Sequence, residues 1–179
     1  MRQDLLPLRC HPQSACSAVR ALAAHARAAA EGALAVTFVL EAELEQLRIP
    51  APRPPHRIDG LWRHTCFEVF VTAYGEAYHE FNFSPSGEWA AYAFARYRDG
   101  GPFTVAIYPS VNVHAESRQL VLDALIPAGC LPAREADTRW RLGLTAVIED
   151  TAGMLSYWAL EHPPGRPDFH HSDGFALQL

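Results

Sequence analysis

Short runs of alternating apolar and polar residues, separated by turn residues, make up most of the chain. In the run 62–72 the odd positions 67, 69 and 71 are apolar, and the run 77–83 repeats the pattern with Phe81 and Phe83. Because successive side chains of a strand point to opposite faces, this alternation predicts strands with one face in a core. Comparable runs predict further strands at 34–47, 88–97, 103–107, 110–114, 119–126, 139–148 and 155–161. Turn-forming residues at 84–87, 99–102, 127–129 and 150–153 separate these runs.

Strands this short and this evenly spaced are typical of an all-β protein. The pattern predicts an all-β sandwich or barrel, with residues 1–179 forming one domain. The Ala-rich segment 14–31 is the exception, because its propensity favours a helix. Its residues from Val19 to His25 also fit a strand, so the pattern alone leaves both readings open.

Composition narrows the class of protein without naming a ligand. A chain of 179 residues can bury a core without disulfides or metal ions. Its net charge of -5 argues against a nucleic-acid partner, and no apolar stretch is long enough for a membrane helix. The N-terminal residues lack the apolar stretch of a signal peptide, and the four cysteines form no Cys-x-x-Cys pair. We therefore expect a cytoplasmic protein with reduced thiols.

The first predicted hairpin places polar residues on one face of the sheet. A turn at 73–76 puts Glu68 opposite Asn82 and Phe70 opposite Glu80. Because Phe67 and its odd-numbered neighbours occupy the core face, the even positions of these strands share the other face.

The next hairpin extends the same face. A turn at 84–87 puts Glu80 opposite Tyr92 and Tyr78 opposite Phe94. The candidate ligand-binding residues on this face are Trp62, His64, Glu68, Tyr78, Glu80, Asn82, Tyr92 and Arg96. Aromatic rings can stack on the apolar faces of a sugar, and carboxylates, amides and guanidinium groups can bind its hydroxyls. A saccharide or similar small polar metabolite is the predicted ligand.

Two other readings of this face remain open. In one, Arg63, Arg96 and the histidines pair with Glu68 and Glu80, and the network is purely structural. In the other, the two carboxyl groups act as the acid and nucleophile of a glycosidase. The chain lacks the usual phosphate-binding, serine-hydrolase and zinc-protease motifs, so we expect a protein that is not an enzyme and has no catalytic residue.

Three stretches of the chain, 61–70, 78–92 and 157–171, resemble the bacterial DOMON-like domain family, which is related to family 9 carbohydrate-binding modules. The resemblance runs from about residue 8 to residue 179. It implies an immunoglobulin-like or jelly-roll type β-sandwich of antiparallel strands that binds a ligand, and it implies a strand near Val19 in place of a helix.

The resemblance also brings in cofactors and alternative functions. DOMON relatives bind haem or sugars, and family 9 modules carry structural calcium. A haem-binding domain is therefore the alternative function, with His64 or His170 as candidate axial ligand. Met154 lies beside a predicted turn, which disfavours the Met and His ligand pair of haem-binding relatives. A scaffold or protein-interaction domain without a small ligand is the further alternative.

Overall fold

The computed structural model describes residues 5–135 and 137–179, and these contain two antiparallel sheets and no α-helix. Short 3₁₀ turns supply the helical structure, and no helix in the described part of the chain is long and apolar enough to cross a membrane. The 3₁₀ turns are Ala30–Gly32, Leu44–Gln46, Leu61–Arg63, Ala128–Cys130 and Ser172–Gly174. The predicted all-β sandwich is confirmed.

The smaller sheet has five strands in the order β1-β3-β4-β10-β9. They are β1 (Leu6–Pro7), β3 (Val19–Ala28), β4 (Leu34–Ala42), β9 (Ser110–Glu116) and β10 (Gln119–Ile126).

The larger sheet has eight strands in the order β2-β12-β11-β5-β6-β7-β8, and the short β13 also pairs with β11. They are β2 (Arg9–Cys10), β5 (Cys66–Thr72), β6 (Tyr78–Phe83), β7 (Trp89–Arg96), β8 (Asp99–Pro102), β11 (Arg141–Glu149), β12 (Leu155–Ala159) and β13 (Leu177–Gln178).

The main core lies between the two sheets. Phe67, Val69 and Val71 of β5 are fully buried there, and the ring of Phe67 lies 5.2 Å from that of Phe38 on β4. The apolar positions of the alternating runs therefore face this core, as the pattern predicts.

The opposite face of the larger sheet is covered as well. Every residue of β5 is buried, and Phe70 and Tyr78 pack there against Phe175, which follows the turn Ser172–Gly174. A sheet whose two faces are both covered can hold polar groups away from water. We call this second side the outer face of the larger sheet.

The Ala-rich segment forms strand β3, as the family resemblance implies and against its helix propensity. Leu22, Ala24 and Ala26 are buried in turn while the residues between them are more exposed. Pairing with β4 along nearly its whole length stabilises the strand, so tertiary contacts override the local preference.

Strand β8 differs from the sequence prediction. Residues 99–102 were expected to form a turn and 103–107 a strand, but 99–102 form the strand and 103–107 form none. Gly100 approaches the backbone of β7 so closely that a Cβ atom would lie 2.0 Å from the carbonyl oxygen of Ala93. Gly100 marks an irregular pairing at the edge of the sheet. The composition of residues 99–102, Asp-Gly-Gly-Pro, is typical of a turn, which is why the sequence predicted one.

Candidate ligand-binding site

A cavity of about 580 Å³ lies on the outer face of the larger sheet. Its floor comes from β5, β6 and β11, and its sides come from β7, β8, β12, the turn Leu61–Arg63 and the C-terminal segment 167–170. Five aromatic residues line it: Trp62, Tyr92, Phe94, Tyr157 and Phe169. The volume falls in the range of small-molecule binding sites, about 300–1,000 Å³.

Two carboxyl groups, those of Glu68 and Glu80, form the polar part of the floor. Glu68 lies opposite Asn82 and Glu80 lies opposite Phe70, which is the predicted register of β5 and β6. The side chains are only 3% and 5% exposed. Asn82 Nδ2 donates a hydrogen bond of 2.9 Å to Glu80 Oε1, whereas Glu68 Oε1 has no partner among the described residues.

Burial changes the acidity of both carboxyl groups. It raises the pKa of Glu68 well above its ordinary value, and the neighbouring charge of Glu80 raises it further. Burial also raises the pKa of Glu80 to about 7, although the hydrogen bond from Asn82 and the charge of Arg98 oppose this rise. Each carboxyl group therefore keeps its proton to a higher pH than an ordinary glutamate does, and in that form it donates a hydrogen bond as well as accepting one.

A hydrogen-bond chain joins the floor to the C-terminal segment. The backbone N–H of Arg98 donates to the Tyr78 hydroxyl at 3.1 Å, and that hydroxyl lies 2.8 Å from Nδ1 of His170. The hydroxyl already accepts one bond, so its own proton is free for Nδ1, and the imidazole then carries its proton on Nε2. This Nε2 lies 3.8 Å from Glu80 Oε2.

The same segment is also held by an ion pair. Arg98 Nη2 lies 2.9 Å from Asp168 Oδ1, and the Tyr97 hydroxyl donates to Asp168 Oδ2 at 2.6 Å. Burial and the charge of Arg98 lower the pKa of His170 to about 4, so its ring is neutral at physiological pH. The side of the cavity formed by residues 167–170 is thus fixed to the β7–β8 hairpin.

The turn that carries Trp62 is held from the opposite side. The backbone N–H of Gly60 donates to the Tyr92 hydroxyl at 3.2 Å. Gly60 has φ +85°, in the left-handed region that favours glycine. The guanidinium of Arg63 lies 5.1 Å from the centre of the Trp62 ring. Trp62 is 47% exposed at the edge of the cavity.

The structure brings half of the sequence-predicted site residues to the cavity. Trp62, Glu68, Glu80 and Tyr92 line it. The pairings of Glu80 with Tyr92 and of Tyr78 with Phe94 are confirmed.

Tyr78 and Asn82 lie on the predicted face but support the floor without lining the cavity. Tyr78 is 2% exposed and bonds to His170, and Asn82 is fully buried and bonds to Glu80. Both residues were predicted to contact the ligand. They support the floor instead, because the C-terminal segment and neighbouring side chains cover them.

His64 and Arg96 lie outside the cavity lining. His64 precedes β5, which begins at Cys66, so the strand alternation does not reach it, and its Nδ1 lies 2.7 Å from Oε2 of Glu149. In β7 the register shifts by one residue between Phe94 and Arg96. This bulge makes Arg96 pair with Asp99 at 2.8 Å, so placing it on the ligand face was wrong.

Several lining residues were not singled out as ligand contacts from the sequence. They are Arg63, Phe94, Arg98, Gly100, Gly101, Pro102, Val147, Leu155, Tyr157, Pro167 and Phe169. Phe94 was already placed on this face by the hairpin register, which was the available signal. The segment 157–171 belongs to the family resemblance, but it has no periodicity that would place its side chains.

Candidate cofactor ligands are few in the described structure. Residues 5–135 and 137–179 contain no group of three or more His, Cys, Asp or Glu side chains arranged to hold a metal ion. Of the two candidate haem ligands, His170 lines the cavity and His64 does not. The haem and structural calcium alternatives stay hypotheses of the family resemblance.

Comparison with known proteins supports the fold. No family model matches the chain, and no curated protein matches it. Among solved structures it is similar to one described as a "putative carbohydrate-binding protein" from Bacteroides uniformis ATCC 8492, with a TM-score of 0.69 and 12% sequence identity. The likeness covers 97% of this chain and 84% of that chain. At this identity it shows that the two proteins share a β-sandwich fold.

Proposed function

We propose that this protein is a non-catalytic carbohydrate-binding domain whose ligand occupies the cavity on the outer face of the larger sheet. The observation that carries the proposal is the arrangement of aromatic walls over a polar floor. Trp62 and Tyr157 offer ring surfaces, and Glu68 and Glu80 offer hydrogen-bonding oxygens beneath them.

A sugar ring fits this combination of surfaces. Its C–H faces pack against aromatic rings, and its hydroxyls need donors and acceptors that fix its orientation. Carboxyl groups with raised pKa values supply both kinds of partner, because the protonated form donates a hydrogen bond as well as accepting one. The unpartnered Oε1 of Glu68 is a buried acceptor that a sugar hydroxyl would satisfy.

The structural comparison and the sequence resemblance both agree with this proposal. The similar fold belongs to a protein described as a putative carbohydrate-binding protein. The sequence itself resembles the DOMON-like domains, whose relatives include family 9 carbohydrate-binding modules. Neither likeness names the ligand of this chain, so the cavity carries the argument.

Tryptophan fluorescence and calorimetry test this function. Trp62 is 47% exposed, whereas the other tryptophans, Trp89, Trp140 and Trp158, are buried, so its emission reports on the cavity. We expect at least one of cellobiose, maltose, xylobiose and diacetylchitobiose to change this emission saturably and to release heat on titration. Trp62→Ala should abolish the binding heat.

The matched control is Tyr74→Ala, which removes an aromatic ring that is 71% exposed and does not line the cavity. It should bind as the wild type does. If no disaccharide binds, or if Trp62→Ala and Tyr74→Ala behave alike, the proposed function is wrong.

A further inference from the structure

The acid pair on the cavity floor lacks a basic partner. Among residues 5–135 and 137–179, no Arg or His nitrogen lies within 4.0 Å of the Glu68 carboxylate, and only His170 Nε2, at 3.8 Å, approaches that of Glu80. Both side chains are more than nine-tenths buried, and Glu68 Oε1 has no hydrogen bond in the described structure. Buried carboxylates are normally paired with a cation, so this floor is incomplete.

Two guanidinium groups line the cavity, but neither lies within ion-pair distance of the floor carboxyl groups. Arg98 is paired with Asp168 and bonded to the Tyr97 hydroxyl, and Arg63 stacks on Trp62. The remaining ionisable or polar groups that face the acid pair do not supply a positive charge. They are Cys66 on β5, Tyr78 and Asn82 on β6, Tyr92 on β7, Thr145 on β11 and the imidazole of His170, which burial keeps neutral.

The walls of the cavity favour a cation on the ligand. The faces of Trp, Tyr and Phe rings attract ammonium groups, most strongly where water is excluded. Trp62, Tyr92, Phe94, Tyr157 and Phe169 line the same cavity as the two carboxyl groups. Aromatic walls over an unpaired acidic floor form the kind of site that binds an organic ammonium ion.

We propose that the ligand carries a protonated amine that lies on the floor between Glu68 and Glu80, which makes an amino sugar the saccharide this cavity accepts. This inference rests on the proposed function and deepens it. The ammonium group supplies three N–H donors, one of which reaches the unpartnered Glu68 Oε1, and its charge allows both carboxyl groups to ionise together. A neutral sugar brings no counter-charge, so it does not stabilise both carboxyl groups in their ionised forms.

Three disaccharides with the same β-1,4 backbone form the test. Chitobiose with free amines, diacetylchitobiose and cellobiose differ only at C2, which bears an ammonium, an acetamide or a hydroxyl group. By calorimetry in slightly acidic buffer we expect the free amine to bind the wild type about tenfold more tightly than cellobiose does. We expect its binding to release a proton from the acid pair. Binding heats measured in two buffers of different ionisation heat should differ accordingly.

The variants ask whether the acid pair causes the preference. In Glu68→Gln and in Glu80→Gln the ratio of amine to cellobiose affinity should fall to about one, since each removes one carboxylate charge. Glu76→Gln, at the exposed β5–β6 turn, makes the same chemical change away from the cavity and should keep the wild-type ratio. The preference of the wild type is itself a test that needs no variant to fold.

The failures of the two proposals are distinguishable. If cellobiose binds the wild type as tightly as the free amine, the amine inference is wrong and the carbohydrate function stands. If none of the disaccharides binds, cyclohexylammonium and cyclohexanol replace them, with Trp62 emission as the readout. A response to the cation that Glu68→Gln abolishes then supports the amine site without the sugar function, and an equal or absent response overturns it.

Discussion

The Tyr78 hydroxyl lies 2.8 Å from Nδ1 of His170, and this contact links the outer face of the larger sheet to the C-terminal segment. The two residues are 92 positions apart in the chain. The contact with His170 and the bond from the Arg98 N–H explain why a buried tyrosine occupies the position opposite Phe94. The hydroxyl organises one side of the cavity without lining it.

Tyr78→Phe should therefore destabilise the protein by about 1–2 kcal/mol, because it leaves the Arg98 N–H and the His170 ring without their partner. Urea unfolding measures this free energy. Tyr74→Phe removes the hydroxyl of a tyrosine that is 71% exposed and should change the stability little. Equal effects of the two substitutions would show that the hydroxyl of Tyr78 has no structural role.

Stability should depend on pH through Glu80, whose pKa rises from 4.5 when unfolded to about 7 in the folded protein. Between these values the native state retains a proton that the unfolded chain releases, so the free energy of unfolding falls as the pH rises. At about 1.4 kcal/mol per pH unit the loss from this group is about 3 kcal/mol. Glu80→Gln has no such titration and should gain stability relative to the wild type as the pH rises through this window.

Urea unfolding of both proteins at about pH 5 and about pH 8 gives the comparison. His170 contributes in the opposite direction, because its pKa is lowered to about 4 and stability is lost as the pH falls below 6.5. That contribution is common to wild type and variant to first order, so the difference between them reports Glu80 together with its charge effect on Glu68, which acts in the same direction. A difference that does not change with pH, or that shrinks as the pH rises, would contradict the raised pKa.

Gly100 and Gly101 offer a matched pair of backbone tests. A Cβ at Gly100 would lie 2.0 Å from the Ala93 carbonyl oxygen, whereas one at Gly101 meets no atom within 4 Å. Gly100→Ala should cost about 2 kcal/mol or more, because the β7–β8 pairing must shift to admit the methyl group. Gly101→Ala should have a much smaller effect. Thermal unfolding of both variants tests whether β8 approaches β7 this closely at Gly100.

Arg96 and Arg98 are two residues apart but have different roles. Arg98→Ala removes the 2.9 Å pair with Asp168, and the amides of residues 163–171 should then exchange with solvent about fivefold faster. Arg96→Ala removes an exposed pair with Asp99, which contributes little. Hydrogen exchange read by mass spectrometry compares them. Similar exchange in both variants would show that Arg98 does not hold the segment.

The register of the strands that form the floor was predictable, because two short turns determine it. A turn near residue 75 aligns Glu68 with Asn82, and the next turn aligns Glu80 with Tyr92. Period-2 alternation then assigns the core face, since Phe67 and Phe81 cannot face water. These local rules hold wherever the strands are regular.

The same rules fail where the strands end or change register. The alternation was extended to His64, which precedes the strand, and to Arg96, which follows a bulge. Neither the bulge nor the close approach of Gly100 leaves a signal in hydrophobic periodicity. The side chains of Phe169 and His170 reach the cavity through tertiary contacts of an irregular segment, which a pattern along the chain does not encode.

The placement of residues 167–170 over the sheet has a consequence for synthesis on the ribosome. The strands β5, β6 and β7 lie in the middle of the chain and can pair as soon as they emerge, but the residues that cover their outer face emerge only after β12. A nascent chain folded as far as β12 therefore presents Phe70, Tyr78 and Phe94 to water beside two acidic groups. Such an exposed apolar surface favours aggregation of the nascent chain until translation delivers its cover.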